Sequence, residues 1–297
     1  MTLVSVENQA FASVEQVEVA LERESYLPDR GLATAIYLSL AMRRPLLLEG
    51  EAGVGKTEVA KTLSRVLSAE LIRLQCYEGI DASQALYEWD YSRQLLYVRA
   101  LQQGELKLGE RISELYGPDF LLERPLLKAV RAGSSAVLLI DEVDRGDDEF
   151  EAFLLEVLSD YSVTIPELGT IAATTPPVVV ITSNRTRELH DALKRRCLYH
   201  WVAHPSFERE VEIIRRRLPQ VSESLSRQVA AAVGSLRQAD LLKPPGVAEA
   251  IDWAQALALL GADAVTSEAA RASLGWAIKN RDDLRRVESQ LDDLIDE

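Results

Sequence analysis

The spacing of apolar positions changes along the chain, and each change predicts an element. A helical lead-in is expected over residues 1–28. Asp29 is placed to cap a helix reaching about Met42, whose apolar positions Leu32, Ala35, Ile36, Leu38, Leu40 and Ala41 recur at helical spacing. Pro45-Leu46-Leu47-Leu48 is a short unbroken apolar run, which predicts a buried strand. Helical spacing returns over Glu58–Leu67, and Leu71–Cys76 alternates as a strand. Ser135–Ile140, Pro177–Thr182 and Leu198–Val202 read as further strands, with helices over Leu121–Arg131, Asp147–Leu158 and Glu188–Arg196. Val163–Ile165 and Gly169–Ile171, joined by Pro166-Glu167-Leu168, predict a small hairpin.

From Tyr77 to Gly117 no single period holds. Tyr87, Trp89, Tyr91 and Tyr97 crowd together with Arg93 and Arg99. Such interleaving suits base stacking, or else an inserted helix or hairpin that packs its aromatics on the core. Beyond Pro205 and Ser206 every segment reads as helix: about 206–217, 222–238, 247–260, 266–279 and 281–295, broken at Pro219 and Pro244-Pro245-Gly246. The expected division is a lead-in over 1–28, an α/β domain over 29–204 and a helical domain over 205–297.

Charge narrows the range of partners. The 297 residues carry 33 basic and 47 acidic side chains, a net charge of −14. A chain that acidic repels phosphate backbones unless it gathers a basic patch, and its obvious basic clusters, Lys194-Arg195-Arg196 and Arg215-Arg216-Arg217, are short. Nucleic acid is therefore not expected as a partner, and the aromatics at 87–97 are expected in a core. No apolar stretch approaches the roughly 18–20 residues of a membrane span. Met1–Glu18 lacks a basic cluster followed by an apolar core, so a cytoplasmic protein without stable membrane insertion is expected. Cys76 and Cys197 stand far apart and suggest neither a zinc site nor a disulfide.

The chemistry centres on Gly50-Glu51-Ala52-Gly53-Val54-Gly55-Lys56-Thr57, set between a strand and a helix that opens at Glu58. Glycines let backbone N–H groups turn inward, and the helix start adds its own free N–H groups and positive dipole end. Lys56 supplies a mobile charge for β- and γ-phosphates, and the Thr57 hydroxyl can ligate Mg²⁺. A chance glycine turn would seldom carry the whole pattern in this context. The strand Ser135–Ile140 runs into Asp141-Glu142, where Asp141 would hold Mg²⁺ and Glu142 would polarise the attacking water. Two solvated acids at a strand tip are the bland alternative, weakened by the P-loop beside them. Asn184 follows the strand Pro177–Thr182, where it can bond water or a γ-phosphate, although Asn also favours turns. Arg195 and Arg196 end a helix, a place that favours cations in any case.

The order of these features resembles the AAA+ ATPases: an α/β P-loop core with a parallel sheet between helices, then a smaller all-helical lid. Gly50–Thr57 looks like their Walker A motif, Val137–Glu142 their Walker B and Asn184 their sensor 1. Arg196 best matches their arginine finger, with Arg195 the alternative. The hairpin at 163–171 and the irregular stretch near 90–120 are similar to insertions of the MoxR family. Leu74-Gln75-Cys76-Tyr77-Glu78-Gly79, Tyr87-Glu88-Trp89-Asp90-Tyr91 and Lys243-Pro244-Pro245-Gly246-Val247 resemble its CoxD-type branch, associated with maturing the molybdenum–copper centre of carbon monoxide dehydrogenase and related hydroxylases.

The resemblance implies an ATP- and Mg-dependent remodelling chaperone. It would act as a homo-oligomer, a hexameric ring, with a von Willebrand factor A (VWA) domain adaptor and a client metalloenzyme. One departure stands out. Where relatives carry a sensor 2 arginine, this chain reads Gly246-Val247-Ala248-Glu249-Ala250. The rival readings are a DNA-handling motor of the same fold and a nucleotide-gated binding module with negligible turnover.

Overall fold

The computed structural model describes residues 10–101 and 112–295. Residues 1–9 of the expected lead-in, and part of the expected insertion near 90–120, lie outside them. Helix α1 spans Val14–Arg23 and α2 spans Arg30–Met42, the latter capped by the Asp29 carboxylate accepting from Leu32 N–H at 2.7 Å. Strand β1 (Leu46–Glu49) leads through the glycine-rich turn into α3 (Lys56–Val66), and β2 spans Glu70–Gln75. The irregular stretch resolves into α4 (Ala82–Ala85), β3 (Tyr87–Trp89), α5 (Tyr91–Leu101) and α6 (Ile112–Leu115).

The helix expected over Leu121–Arg131 is corrected at its start. Leu121–Glu123 is strand β4, antiparallel to β3 with Leu121 opposite Trp89. The helix, α7, begins only at Pro125 and runs to Ala132. Proline favours the first helical position and pushes the residue before it into extended conformation, so 121–124 was released to pair with a strand more than thirty residues earlier. Of the aromatics expected in a core, Trp89 is buried and meets Tyr116 and Tyr87 edge-on, and Tyr97 packs on Phe120, whereas Tyr91 is 62% exposed because it opens α5 on the solvent side.

Strand β5 (Ala136–Asp141) is followed by α8 (Asp148–Asp160), the hairpin β6 (Ser162–Ile165) and β7 (Gly169–Ala172), and β8 (Val178–Ser183). Helix α9 is shorter than expected, Asp191–Arg196, because Leu189 turns into the core ahead of it and His190 takes the N-cap. Strand β9 (Leu198–Trp201) closes the sheet. The order is β2-β5-β8-β1-β9, and every pairing is parallel. Sequence alternation sends Leu47, Leu138, Ile140 and Ile181 to one face, against α7 and α8. It sends Leu46, Leu48, Val137, Leu139 and Val180 to the other, against α1, α2 and α3. Both faces being covered, the strands are almost wholly apolar and their polar tips, Asp141 and Ser183, gather at one end.

The remaining chain is helical: α10 (Phe207–Arg217), α11 (Glu223–Gln238), α12 (Val247–Leu259), α13 (Ser267–Ser273) and α14 (Arg281–Ile295). The single helix expected over 266–279 stops at Ser273, gives a short 3-10 turn over Leu274–Trp276, and ends. These helices share a core of their own around Trp253, whose indole N–H donates to Ser273 Oγ at 2.8 Å. Cys76 and Cys197 are free and buried, and burial pushes both thiols up to about 12.

One ion pair ties the helical region together. The Arg237 guanidinium grips the Glu210 carboxylate with two bonds, 2.8 and 2.7 Å, and donates a third to Pro245 O at 2.8 Å. Glu210 is 2% exposed, so removing its partner leaves a buried, uncompensated charge. Arg237→Ala should lower the stability of this region by about 3–5 kcal/mol, read as a shifted urea midpoint.

Candidate active site

The site grows from the turn after β1. Gly53 has φ 77° and Gly55 has φ 95°, left-handed values that side chains resist. Gly53 has a second reason to be glycine: a Cβ there would fall 3.0 Å from Gly246 Cα and 2.8 Å from Glu249 Oε2. No side chain caps α3 at Gly55, which leaves the first-turn N–H groups of α3 for a ligand. Lys56 is buried, with Nζ donating to Gly50 O at 2.7 Å and Glu51 O at 2.6 Å. Burial lowers its pKa, against the opposing pull of Asp144, Asp141, Glu142 and Glu51.

The two acids at the tip of β5 have different surroundings. Asp141 is buried and fully occupied. Its Oδ1 accepts from Thr57 Oγ1 at 3.0 Å and Thr182 Oγ1 at 2.6 Å, and its Oδ2 accepts from Arg73 Nε and Nη2 at 3.0 and 2.6 Å. Glu142 adopts φ 56°, a left-handed conformation that costs a non-glycine residue about 1–3 kcal/mol. Its backbone N–H is held by Thr182 Oγ1 at 2.9 Å. Its carboxylate meets Gln75 Nε2 at 3.3 Å and Arg145 Nε at 2.8 Å. Strain at this one residue turns the chain sharply off the strand and aims the acid along the cavity edge.

Asn184 sits at the tip of β8, its backbone N–H donating to Asp144 Oδ1 at 3.2 Å. Asp144 is buried and also takes Thr186 N–H at 2.8 Å and Thr186 Oγ1 at 2.7 Å, so one carboxylate fixes the whole loop that carries Asn184. Arg73, Gln75, Asp144, Arg145 and Thr182 escaped the reading of the sequence. Only Asp144 left a trace there, a third acid just past Asp141-Glu142.

The site opens onto a cavity of about 630 Å³. Ala52, Gly53, Val54, Gly55, Lys56, Thr57 and Glu58 line it together with Asp141, Glu142 and Asn184. Gly50 and Glu51 stand behind, their carbonyls holding Lys56. Tyr26 and Leu27 close one side, and the helical region closes another with Arg209, Arg217 and Val247. Arg195 and Arg196 do not line this cavity. Both are exposed; the Arg196 guanidinium donates to Leu155 O at 2.6 Å and contacts Ser159 Oγ.

Residues 45–197, slightly more than half of the chain, match the AAA domain of the dynein-related subfamily. Two uncharacterized proteins, of Staphylococcus haemolyticus and Staphylococcus aureus, are each 26% identical over 162 residues, which is 52% of this chain and 54% of theirs. The chain thus spans about half the length of the curated relatives it matches. Among solved structures, the RuvB Holliday junction branch migration motor of Thermotoga maritima aligns with TM-score 0.46 and 16% identity, over 93% of this chain and 74% of its own. A point mutant of the same RuvB reaches TM-score 0.50 at 16% identity, over 88% and 74%, a likeness of fold alone.

Thr182 is the polar hinge between the two acids. Thr182→Val keeps its shape but leaves the part-buried Glu142 N–H without an acceptor and the buried Asp141 short of a donor. The expected cost is about 1–3 kcal/mol, measured by thermal or denaturant unfolding.

Proposed function

The chain belongs to the AAA domain family, dynein-related subfamily, and we propose that it is an ATP-hydrolysing remodeller. The observation that carries the reading is the meeting of Thr57 and Asp141. The P-loop helix and the strand-tip acid come from distant parts of the chain, yet their oxygens lie 3.0 Å apart on one cavity. Two hard oxygens so placed suit Mg²⁺, whose charge would offset that of the β- and γ-phosphates.

Each residue then has a task. Backbone N–H groups from Gly53 to Glu58 cradle the phosphates. Lys56 would leave the carbonyls of Gly50 and Glu51 for the β- and γ-phosphates, and Thr57 directly and Asp141 through water would hold Mg²⁺. Glu142 orients water for in-line attack and accepts its proton, and Asn184 positions that water against the γ-phosphate. Because Arg195 and Arg196 lie away from their own cavity, they serve the cavity of the next subunit in a ring, where a cation stabilises transition-state charge. Arg196 is the finger by motif, although it must first leave Leu155 and Ser159, whereas Arg195 already stands clear.

The finer assignment rests on sequence motifs: a MoxR-type chaperone of the CoxD branch, assembled as a hexamer, working with a VWA-domain adaptor on a metalloenzyme client. The β6–β7 hairpin and the segment around β3 and α5 are the elements that would move against the client as hydrolysis proceeds.

The test combines turnover with assembly. Glu142→Gln should bind Mg-ATP yet lose at least a hundredfold in turnover, and in its ATP-bound form should run as a ring by light scattering. Wild-type specific activity should climb with protein concentration. A chain that stays monomeric at all concentrations with constant specific activity would sink the ring model. Arg195→Ala and Arg196→Ala, assayed separately, identify the finger: its loss abolishes turnover while leaving nucleotide affinity in place.

A further inference from the structure

The first residues of α12, Val247 to Glu249, hold no cation and are committed to other contacts. Gly246 packs on Gly53 so closely that a Cβ on it would lie 2.6 Å from Gly53 Cα. The N–H groups of Val247 and Ala248 both donate to Gly53 O, at 3.0 and 3.4 Å. Glu249 folds back to cap Gly246 N–H at 3.0 Å. This end of the helix therefore brings a carboxylate and two occupied N–H groups to the P-loop, and no cation.

The helical region reaches the cavity with cations from α10 instead. Among the described residues lining the cavity, its two are Arg209 and Arg217. Arg209 is anchored, with Nη2 donating to Pro28 O. Arg217 ends α10 and crosses to the first turn of α3, where its Nη2 lies 2.9 Å from Glu58 Oε1. Burial raises the Glu58 pKa, but Arg217, followed by Arg65 and Lys61, more than offsets it and leaves the carboxyl below its usual range. Arg217 is 35% exposed on a long flexible stem and shares Glu58 Oε1 with Arg65 Nη2 at 3.3 Å, and it lines the same cavity as Gly53–Glu58, so the guanidinium is within the reach of a ligand held there. A triphosphate brings more negative charge than the single buried Lys56 answers, and a guanidinium forks onto phosphate oxygens as readily as onto a carboxylate.

We propose that Arg217 is the residue through which the helical region binds the nucleotide's phosphates, from α10 in place of α12. The proposal rests on the reading of the cavity as an ATP site. The alternative role for Arg217 is a clasp that acts only through Glu58.

A double-mutant cycle separates these. Equilibrium binding of a fluorescent ATP analogue to the full chain is measured for wild type, Arg217→Ala, Glu58→Gln and the double variant, with Lys56→Ala as the reference for loss of the P-loop. Direct contact predicts that Arg217→Ala weakens binding about ten- to hundredfold, by a similar factor whether residue 58 is Glu or Gln. Arg217→Lys should recover part of the loss, and Arg217→Gln serves in the cycle if the alanine variant unfolds. Unchanged affinity in Arg217→Ala overturns the proposal, as does a loss that vanishes in the Glu58→Gln background. A wild-type chain that binds no ATP brings down the ATP-site reading itself, so the two failures are told apart.

Discussion

A carboxylate buried to 2% exposure must have partners or lose its charge, and the partners of Asp141 hold the site together. They come from three directions: Thr57 from the P-loop helix, Thr182 from β8 and Arg73 from β2. Each bond fixes the position of one element relative to the tip of β5. With β2 and β8 flanking β5 in the sheet, the strand pairing delivers these side chains and the carboxylate holds them. Fold and proposed chemistry meet in one residue, because the group proposed to hold a metal also pins three elements that line or support the cavity.

The next two acids extend the same logic outward. Glu142 leaves the strand through a left-handed residue, and Thr182 takes its N–H, so one threonine hydroxyl donates to one acid and accepts from the backbone of the next. Asp144 then turns inward and collects the loop after β8. Three acids within four residues thus carry three separate duties. One is buried against hydroxyls and a guanidinium, one stands at the cavity edge, and one serves as scaffold. Burial and partners make that division, since the side chains are chemically near-identical.

How much of this was legible depends on the range of the causes. The P-loop, the Asp29 cap and the apolar strands are local: glycines, a capping carboxylate and a hydrophobic run each write their consequence within a few residues. The helix thought to begin at Leu121 failed because its competitor was remote. Strand β3 offered Leu121–Glu123 a partner, and Pro125 withheld the helix until later. The roles of Arg73, Thr182 and Asp144 were out of reach for the same reason, since each depends on which strand lies beside which. Asn184 was readable from its place after a strand, but the Asp144 carboxylate that steadies it was not.

The helical region is attached to the P-loop by two contacts of different strength. At α12, backbone bonds from Val247 and Ala248 reach Gly53 O, and two glycines touch without a side chain between them. Those bonds, 3.0 and 3.4 Å to one carbonyl, are between uncharged groups and so are little affected by salt. At α10 the attachment is the half-exposed pair of Arg217 and Glu58, of a kind worth about 0–1 kcal/mol and weakened by salt. Under a changing load the second contact yields before the first. The backbone contact at the glycine pair is the firmer attachment, and the ion pair at the end of α10 is the one a bound anion can compete for.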